Sequence, residues 1–283
     1  MPQGPVEVLR PKGEPLPLVY DSPHSGSDYP ADFRHAIDRM VLRRSEDAHI
    51  DELYAHVVNR GAVLLHALFP RCYIDANRST EDIDTALIVG AWPSAVAPSR
   101  KAANGKGLIW RQIGSHGDIY KERLTVAEVT ARIERYWQPY HRTISQLLDA
   151  GHARFGVVYH VNCHSMGSRG DRTTEDGAVE RPDFVIGDRD GTTCEKRFTE
   201  LVVETLRAQG FSCAVNDPYK GVELVRRYSN PSAGRHSIQI ELKRGRYMDE
   251  KTIEKSAEYD RTQAALRRLT DAIADYVSGR IGA

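Results

Sequence analysis

Two histidines follow predicted buried strands, at positions where a metal or a substrate could bind. His24 comes directly after one apolar strand, and His164 ends another, in which His160 and Asn162 point to the same side because alternate residues of a strand share a face. An open α/β sheet places its ligand-binding groups beyond the carboxyl ends of its strands. We therefore expect His24 and His164 to converge. His160 is the better candidate for a hydrogen-bonded core histidine, and His24 by itself could equally be a turn histidine bonded to local backbone.

The segment 45–51, Ser-Glu-Asp-Ala-His-Ile-Asp, places three acids and a histidine at the start of a predicted helix. Acids in a first helical turn interact favourably with the helix dipole and Ser45 is a good N-cap, an ordinary structural explanation that we prefer for Glu46 and Asp51. Two histidines and one carboxylate nevertheless make up the three protein ligands of a catalytic zinc site. Asp47 is our candidate for the carboxylate, and Glu46 is its close rival.

A polar pair, Asn77 and Arg78, follows a short predicted strand at residues 72–75. The planar guanidinium could bind a substrate carboxylate through two hydrogen bonds. A surface ion pair with one of the acids around Glu81 explains the arginine equally well. A second basic stretch at residues 220–227 could be a simple solvated charge run.

Residues 237–243 alternate between apolar side chains and the polar side chains of Gln239, Glu241 and Lys243. A half-exposed strand explains this alternation. A carboxylate that faces a metal-bound water is, however, the group needed to take the water proton and pass it to a leaving amine. Position alone does not decide between the two interpretations of Glu241.

The elements that must position these residues alternate between apolar strands and amphipathic helices, which is typical of an α/β sheet that is mostly parallel. Strands are predicted at 16–20, 62–68, 72–75, 155–163, 183–186, 211–215 and 237–242. Helices are predicted from Ser45 to Gly61, from a capping box at Thr125 with a bend at Pro139, at 195–209 and at 249–276. Residues 79–124 have no clear period, and 165–182 should form a loop. Without a linker or a repeat, we expect residues 1–283 to form a single domain.

The composition excludes several classes of partner. The 283 residues carry 39 Lys+Arg and 39 Asp+Glu, so the net charge of zero does not favour binding to nucleic acid or to a membrane surface. The four cysteines form no CxxC motif, which argues against a zinc ribbon or a disulfide scaffold. The beginning of the chain has no apolar signal region, and no run approaches the ~18 apolar residues of a membrane span. We therefore expect a cytoplasmic protein with reduced thiols.

The ordered series of these motifs resembles the N-formylglutamate amidohydrolase family, which is similar in fold to zinc carboxypeptidases and aspartoacylase-type deacylases. The resemblance covers most of the chain and runs through residues 21–26, 46–51, 74–78, 164–168, 183–188, 218–221, 238–241 and 246–249. It implies an α/β fold, a single-domain three-layer sandwich with a mixed, mostly parallel sheet like that of zinc carboxypeptidases.

The same resemblance implies a role for each matching residue. It implies that Zn²⁺, or another divalent metal, is bound by His24, Asp47 and His164, and that Glu241 is the general base. Substrate carboxylates would be bound by Asn77, Arg78, Arg226 and Lys220. The chain also departs from the family pattern. It has Ser-Glu-Asp-Ala-His at 45–49 where Asp-Thr-Asp-Trp-His is familiar, Asn-Cys at 162–163 where an acid is common, and Ala76 and Arg227 where Leu and His are expected.

The resulting hypothesis is metal-assisted hydrolysis of the amide of an N-acyl amino acid. The simplest substrate is N-formyl-L-glutamate, cleaved to formate and L-glutamate as in histidine degradation. The partner is therefore expected to be a small acidic molecule. The alternatives are a deacylase of another N-formyl or N-acyl amino acid, a small carboxypeptidase, and a catalytically silent module that binds acidic ligands without metal.

Overall fold

Seven strands form one mixed sheet in the computed structural model of the chain, which describes residues 4–170 and 176–282. The strands of the structure are β1 (Val6–Leu9), β2 (Leu18–Ser22), β3 (Val63–Ala67), β4 (Ile88–Val89), β5 (Leu124–Thr125), β6 (Val158–Met166), β7 (Phe184–Gly187), β8 (Cys213–Val215) and β9 (Arg235–Lys243). The sheet order is β1-β3-β2-β6-β9-β7-β8, while β4 and β5 pair separately. β3, β2, β6 and β9 are parallel neighbours, as are β7 and β8, whereas β1 pairs with β3 and β7 with β9 in antiparallel fashion. The predicted mixed, mostly parallel α/β sheet is confirmed.

Helices cover both faces of this sheet and create the predicted three layers. They are α1 (Arg39–Arg43), α2 (Ile50–Tyr54), α3 (Arg100–Ala103), α4 (Val126–Arg132), α5 (Gln138–Phe155), α6 (Lys196–Arg207), α7 (Glu223–Tyr228) and α8 (Tyr259–Ser278). One apolar cluster packs α2, α6 and α8 against the sheet, and a second packs α4, α5 and the irregular segment 69–124 against the opposite face. None of the helices in the described ranges is long and apolar enough to cross a bilayer.

The two central strands that carry candidate site residues are covered on both sides. All nine residues of β6 are buried, as are the seven central residues of β9. The half-exposed strand considered for Gln239 and Glu241 is therefore wrong, because α7 covers the face on which their side chains lie. β6 and β9 run in parallel register with His164 opposite Glu241, so the two side chains leave the sheet on the same side.

Several predicted boundaries hold, and others move. The capping box at Thr125 is confirmed, and Gly61 ends the helical segment after α2 with a φ of 78°. Phe155 is the last residue of α5 rather than the start of a strand, and the final helix begins at Tyr259 because residues 249–258 form turns. β6 extends to Met166 into the predicted 165–182 loop, of which residues 171–175 lie outside the described part of the chain.

The predicted strand at 72–75 is wrong, and the reason is tertiary. This segment forms turns, and the Tyr73 carbonyl accepts from Arg132 Nη1 of α4 at 3.0 Å instead of from a neighbouring strand. The carbonyls just after the segment are bound by helix side chains in the same way. Trp137 Nε1 donates to the carbonyl of Arg78 at 2.9 Å, and His141 Nε2 donates to the carbonyl of Ala76 at 2.8 Å. A π-helical turn at Ile133–Trp137 precedes Pro139, which stands in the first turn of α5, where its missing N–H is tolerated; the bend predicted there stays a prediction.

The glycine that follows the first histidine is required by close backbone packing. A Cβ at Gly26 would lie 2.3 Å from the carbonyl carbon of Leu68, beyond the end of β3. We expect Gly26→Ala to lower the free energy of unfolding by about 1–3 kcal/mol, the usual cost of overpacking, because the backbone after His24 must move. Urea unfolding followed by circular dichroism measures this change. Gly13→Ala, with no atom within 4 Å of its added Cβ, is the matched control. Equal stability of the two variants would contradict the packing argument.

Candidate active site

Three buried side chains meet beyond the carboxyl ends of β2 and β6. The structure brings His24, Asp47 and His164 together, with one ligand atom of each lying within 4.8 Å of the others. His164 Nδ1 is 3.0 Å from Asp47 Oδ2, and His24 Nδ1 is 3.4 Å from the same oxygen. His24 follows β2, and His164 is the third residue from the end of β6. The Asp47 amide donates to the His24 carbonyl at 2.9 Å.

The outer nitrogens of both imidazole rings are fixed by hydrogen bonds. His24 Nε2 donates to Asp75 Oδ1 at 2.6 Å, and His164 Nε2 lies 2.7 Å from Asn162 Oδ1. Asn162 is oriented because its Nδ2 donates to the buried Asp21 carboxylate at 2.7 Å. Each ring therefore turns Nδ1 toward Asp47, and His24 Nδ1 is a buried atom without a hydrogen-bond partner among the described residues.

This arrangement fits a divalent cation. Two imidazole nitrogens and one carboxylate oxygen are the three protein ligands of many catalytic zinc sites, and a histidine ligand usually donates its other N–H to a carboxylate or carbonyl. Here two imidazole nitrogens face a carboxylate oxygen, with the three side chains at most 3% exposed, an arrangement that a cation between them would stabilise. The described residues therefore supply both the ligand atoms and the groups that orient them.

Asp47 is ionised in this site. Burial by itself would raise the pKa of Asp47, but hydrogen bonding to His164 and the nearby charge of Arg71 hold it well below its usual range. Arg244 Nη2 donates to Asp47 Oδ1 at 3.0 Å, and Ser165 Oγ donates to the same oxygen at 3.1 Å. These contacts leave Oδ2 turned toward the two histidines.

Glu46, the rival candidate, points away from the histidines. Its carboxylate accepts hydrogen bonds from the Tyr29 hydroxyl at 2.8 Å and from Arg43 Nε at 3.2 Å. Glu46 and Asp47 are adjacent in the turn between α1 and α2, and their side chains point in different directions, so only one of them can reach the histidines. The structure places Asp47 there.

Glu241 lies beside the histidine cluster and lines the same cavity as His24 and His164. Burial and the charge of Asp47 raise the pKa of Glu241 to about 8. Gln239 Nε2 donates to Glu241 Oε1 at 2.9 Å, which orients the carboxyl group. A carboxyl group with a pKa near neutrality can accept or return a proton at physiological pH.

The cavity in front of these residues has a volume of about 590 Å³ and a cationic wall. Its lining in the described part of the chain includes two acids, Glu241 and Glu250, and ten cationic side chains: Arg44, Arg71, Arg78, Arg100, Lys101, Lys106, Arg169, Arg181, Lys220 and Arg244. A chain with zero net charge thus concentrates positive charge in one place. Such a cavity favours anionic ligands.

Asn77 and Arg78 both reach this cavity. Arg78 is 5% exposed, and its Nη1 donates to the Asn77 carbonyl at 3.0 Å, which holds the guanidinium against the cavity wall. Asn77 Oδ1 accepts from the Leu224 amide at 3.0 Å, while its Nδ2 lies 3.0 Å from His164 Nε2. The polar pair is therefore adjacent to the metal-ligand cluster.

The two predicted residues of the 220–227 stretch are placed differently. Lys220 lines the cavity, although its Nζ donates to the exposed Asp190 at 2.9 Å. Arg226 does not line it. Its side chain is 56% exposed and donates to Glu223 Oε2 at 2.6 Å on the surface of α7. The structure therefore does not bring Arg226 to the site, because the helical turn of α7 directs it outward.

Eight of the ten cations that line the cavity in the described part of the chain have no counterpart in the sequence-based prediction, among them Arg71, Arg244 and Lys101. Arg71 lies between the two acids, with Nη2 3.0 Å from Asp75 and Nη1 3.7 Å from Asp47. Arg244 follows β9, and Lys101 belongs to α3. Lys101 lies in residues 79–124, which show no clear hydrophobic period. Arg71 and Arg244 follow the ends of strands but belong to no recognisable motif. Their proximity to strand ends is the one signal by which Arg71 and Arg244 could have been found.

His160 is the core histidine that the sequence predicted. Its Nε2 donates to Asp21 at 2.9 Å, and its Nδ1 accepts from the Ser237 hydroxyl at 2.7 Å. Tyr140 on α5 donates to the second oxygen of Asp21 at 2.6 Å. This buried network lies behind His164 and supports it through Asn162.

Comparison with known proteins gives consistent matches. The profile of the family described as N-formylglutamate amidohydrolase matches residues 16–248. The chain is 27% identical over 275 residues to an N-formylglutamate deformylase of Pseudomonas aeruginosa, an alignment that covers 94% of this chain and 96% of the relative. It is 28% identical over 239 residues to an N-formylglutamate deformylase of Pseudomonas putida, with 83% of each covered.

Among solved structures, the crystal structure of N-formylglutamate amidohydrolase from Ralstonia eutropha JMP134 aligns with a TM-score of 0.93 and 44% identity. The alignment covers 98% of this chain and 99% of that one. The match of the family profile and the similarity along nearly the whole chain agree with the motifs of the site. The chain belongs to the N-formylglutamate amidohydrolase family.

Proposed function

We propose that the chain is a metal-dependent amidohydrolase that cleaves N-formyl-L-glutamate to formate and L-glutamate. The observation that carries the proposal is the buried His24–Asp47–His164 cluster, which lies beside Glu241 in the cationic cavity of a chain of this family. The relatives described above are named N-formylglutamate deformylases. The cationic wall of the cavity is suited to a substrate with two carboxylates, such as N-formyl-L-glutamate. Residues 1–283 would form one catalytic domain. Activity in the cytoplasm within histidine degradation remains a prediction.

The metal ligands are His24, Asp47 and His164, with Zn²⁺ as the metal that suits two imidazoles and one carboxylate. When bound, such an ion supplies Lewis acidity toward a carbonyl oxygen and lowers the pKa of a water molecule. Asp75 and Asn162 hold the two imidazoles in the tautomer whose Nδ1 is available.

Glu241 is the general base of the proposed reaction. Its ionised carboxylate removes a proton from the attacking water and then delivers that proton to the departing amide nitrogen. The pKa of Glu241, which burial and the charge of Asp47 raise, would fall beside a bound cation, because positive charge stabilises the carboxylate. The amide C–N bond breaks, formate leaves, and the amine of L-glutamate is released.

Substrate is held by the cations of the cavity wall. Arg78 and Asn77 adjoin the metal-ligand cluster and are suited to the α-carboxylate, which is attached to the carbon that bears the scissile nitrogen. Lys220 at the cavity wall adds positive charge. A role for Arg226 would require a movement of α7, because its side chain lies outside the cavity.

The first test measures formate release from N-formyl-L-glutamate by the purified, zinc-loaded protein. We expect turnover that is lost after removal of metal by a chelator and restored by added Zn²⁺. N-formyl-L-aspartate, other N-acyl amino acids and a short peptide serve as competing substrates. Activity that survives complete metal removal contradicts the mechanism. Protein that contains no metal although Zn²⁺ was supplied, and that hydrolyses none of these compounds, would instead be a silent binding module.

Glu241→Gln removes the proposed base while its shape and its hydrogen bond to Gln239 are retained. We expect kcat for N-formyl-L-glutamate to fall by about 10²–10⁴-fold, with metal content unchanged, since general base catalysis contributes on that scale. Stopped assays for formate and metal analysis measure the two quantities. Glu204→Gln on the exposed surface of α6 is the control. Full turnover by the Glu241 variant would exclude the base assignment.

Asp75→Asn removes the negative charge that orients His24. We expect the affinity for Zn²⁺ to fall about 10–100-fold, the usual effect of losing such a supporting carboxylate. Competition with a chromophoric chelator measures the affinity. The control is Asp149→Asn, an exposed residue of α5 that pairs with Arg235 at 2.8 Å. If both variants bind Zn²⁺ as tightly as the original chain, Asp75 does not support the ligand.

A further inference from the structure

One lysine of the cavity lacks the counter-charge that its position requires. Lys101 lies on α3 and lines the cavity beside Glu241 and Arg78. Among residues 4–170 and 176–282, its Nζ forms no ion pair and no hydrogen bond, and the charges of Glu241 and Asp75 act on it from beyond ion-pair distance. Its one direct partner within these ranges is the ring of Tyr219, whose centroid is 5.4 Å from Nζ. A half-buried ammonium in this state is a group that a ligand anion would satisfy.

The backbone that carries this lysine is held firmly. Ser99 caps α3 by accepting from the Ala102 amide at 3.2 Å, and it donates through its own amide to Asp82 at 2.7 Å. Ala102 is fully buried, and a Cβ at Gly107 would lie 2.9 Å from the Ala102 side chain. The segment therefore presents Lys101 to the cavity from a fixed position.

The electrostatic environment of Lys101 is that of an unfilled anion site. Burial, together with the charges of Arg78 and Arg71, lowers the pKa of Lys101 to about 8. Arg78 carries a second cavity charge on a different segment, one whose Asn77 adjoins His164. Two cations on two elements are suited to the two carboxylates of one ligand.

We propose that Lys101 binds the side-chain carboxylate of the substrate and thereby selects an acidic amino acid. This inference rests on the proposed function, and it assigns to Lys101 the second anion contact that the sequence placed at Arg226. Arg78 then holds the α-carboxylate near the metal ligands, while Lys101 and the ring of Tyr219 lie around the far end of the substrate. Lys101 is thus a residue that determines specificity, and the reaction steps remain those given above.

The test compares N-formyl-L-glutamate with N-formyl-L-glutamine, a neutral substrate of the same shape. In Lys101→Met we expect the preference for the glutamate compound in kcat/KM to fall by about 100-fold, mainly through a higher KM, because a charge-assisted contact is lost. Lys101→Arg should keep most of the preference. Lys196→Met, a 90% exposed lysine of α6, is the matched control. Circular dichroism verifies folding, and Lys101→Gln replaces the Met variant if that variant is unfolded.

Calorimetric binding of L-glutamate and L-glutamine to the zinc-loaded protein gives a readout that does not depend on turnover. Loss of the preference for L-glutamate in Lys101→Met supports the inference. An unchanged preference, or an equal loss for both compounds, overturns it, because Lys101 would then contact nothing or a group common to both. If the original chain hydrolyses neither formyl compound, the proposed function fails. The binding comparison still decides the role of Lys101.

Discussion

Three possible ligand atoms of buried side chains face one another at the carboxyl edge of the sheet, beside the cationic cavity. His24 Nδ1, His164 Nδ1 and Asp47 Oδ2 can stay so close only if a cation or a proton lies between them. The outer nitrogens of the rings are committed to Asp75 and Asn162, so the rings do not simply rotate away. The surrounding structure is arranged around this constraint.

The sheet supplies the precision that the cluster needs. Parallel register between β6 and β9 sets His164 and Glu241 side by side, and the network from Tyr140 through Asp21 and Asn162 supports His164 from behind. Buried polar groups are costly unless they are satisfied, and these bonds satisfy most of them. This rigid support keeps Glu241 at a fixed distance from His24, Asp47 and His164.

Charge distribution decides what can enter the cavity. Zero net charge keeps the outer surface without a general preference for polyanions, while ten cations among the described lining residues attract a small anion inward. Some of these cations are neutralised by the protein itself, as Arg71 is by Asp75 and Arg244 by Asp47. Arg226 lies outside the cavity and pairs with Glu223, whereas Lys101 lines the cavity without an ion pair among the described residues, which is why Lys101 is assigned to substrate.

The sequence by itself determined the sheet, most of its strands and the positions of His24, His164 and Glu241, because strand-end positions and alternation are local patterns that a parallel sheet converts into proximity. It could not choose between Glu46 and Asp47, since adjacent residues share the same local signal. The turn that presents Asp75 and Arg78 is held by side chains of α5 and of the π-helical turn before it, and the inward direction of Lys101 and the outward direction of Arg226 depend on packing between distant segments. Only the tertiary structure decided these features, because they rest on contacts between residues far apart in the chain.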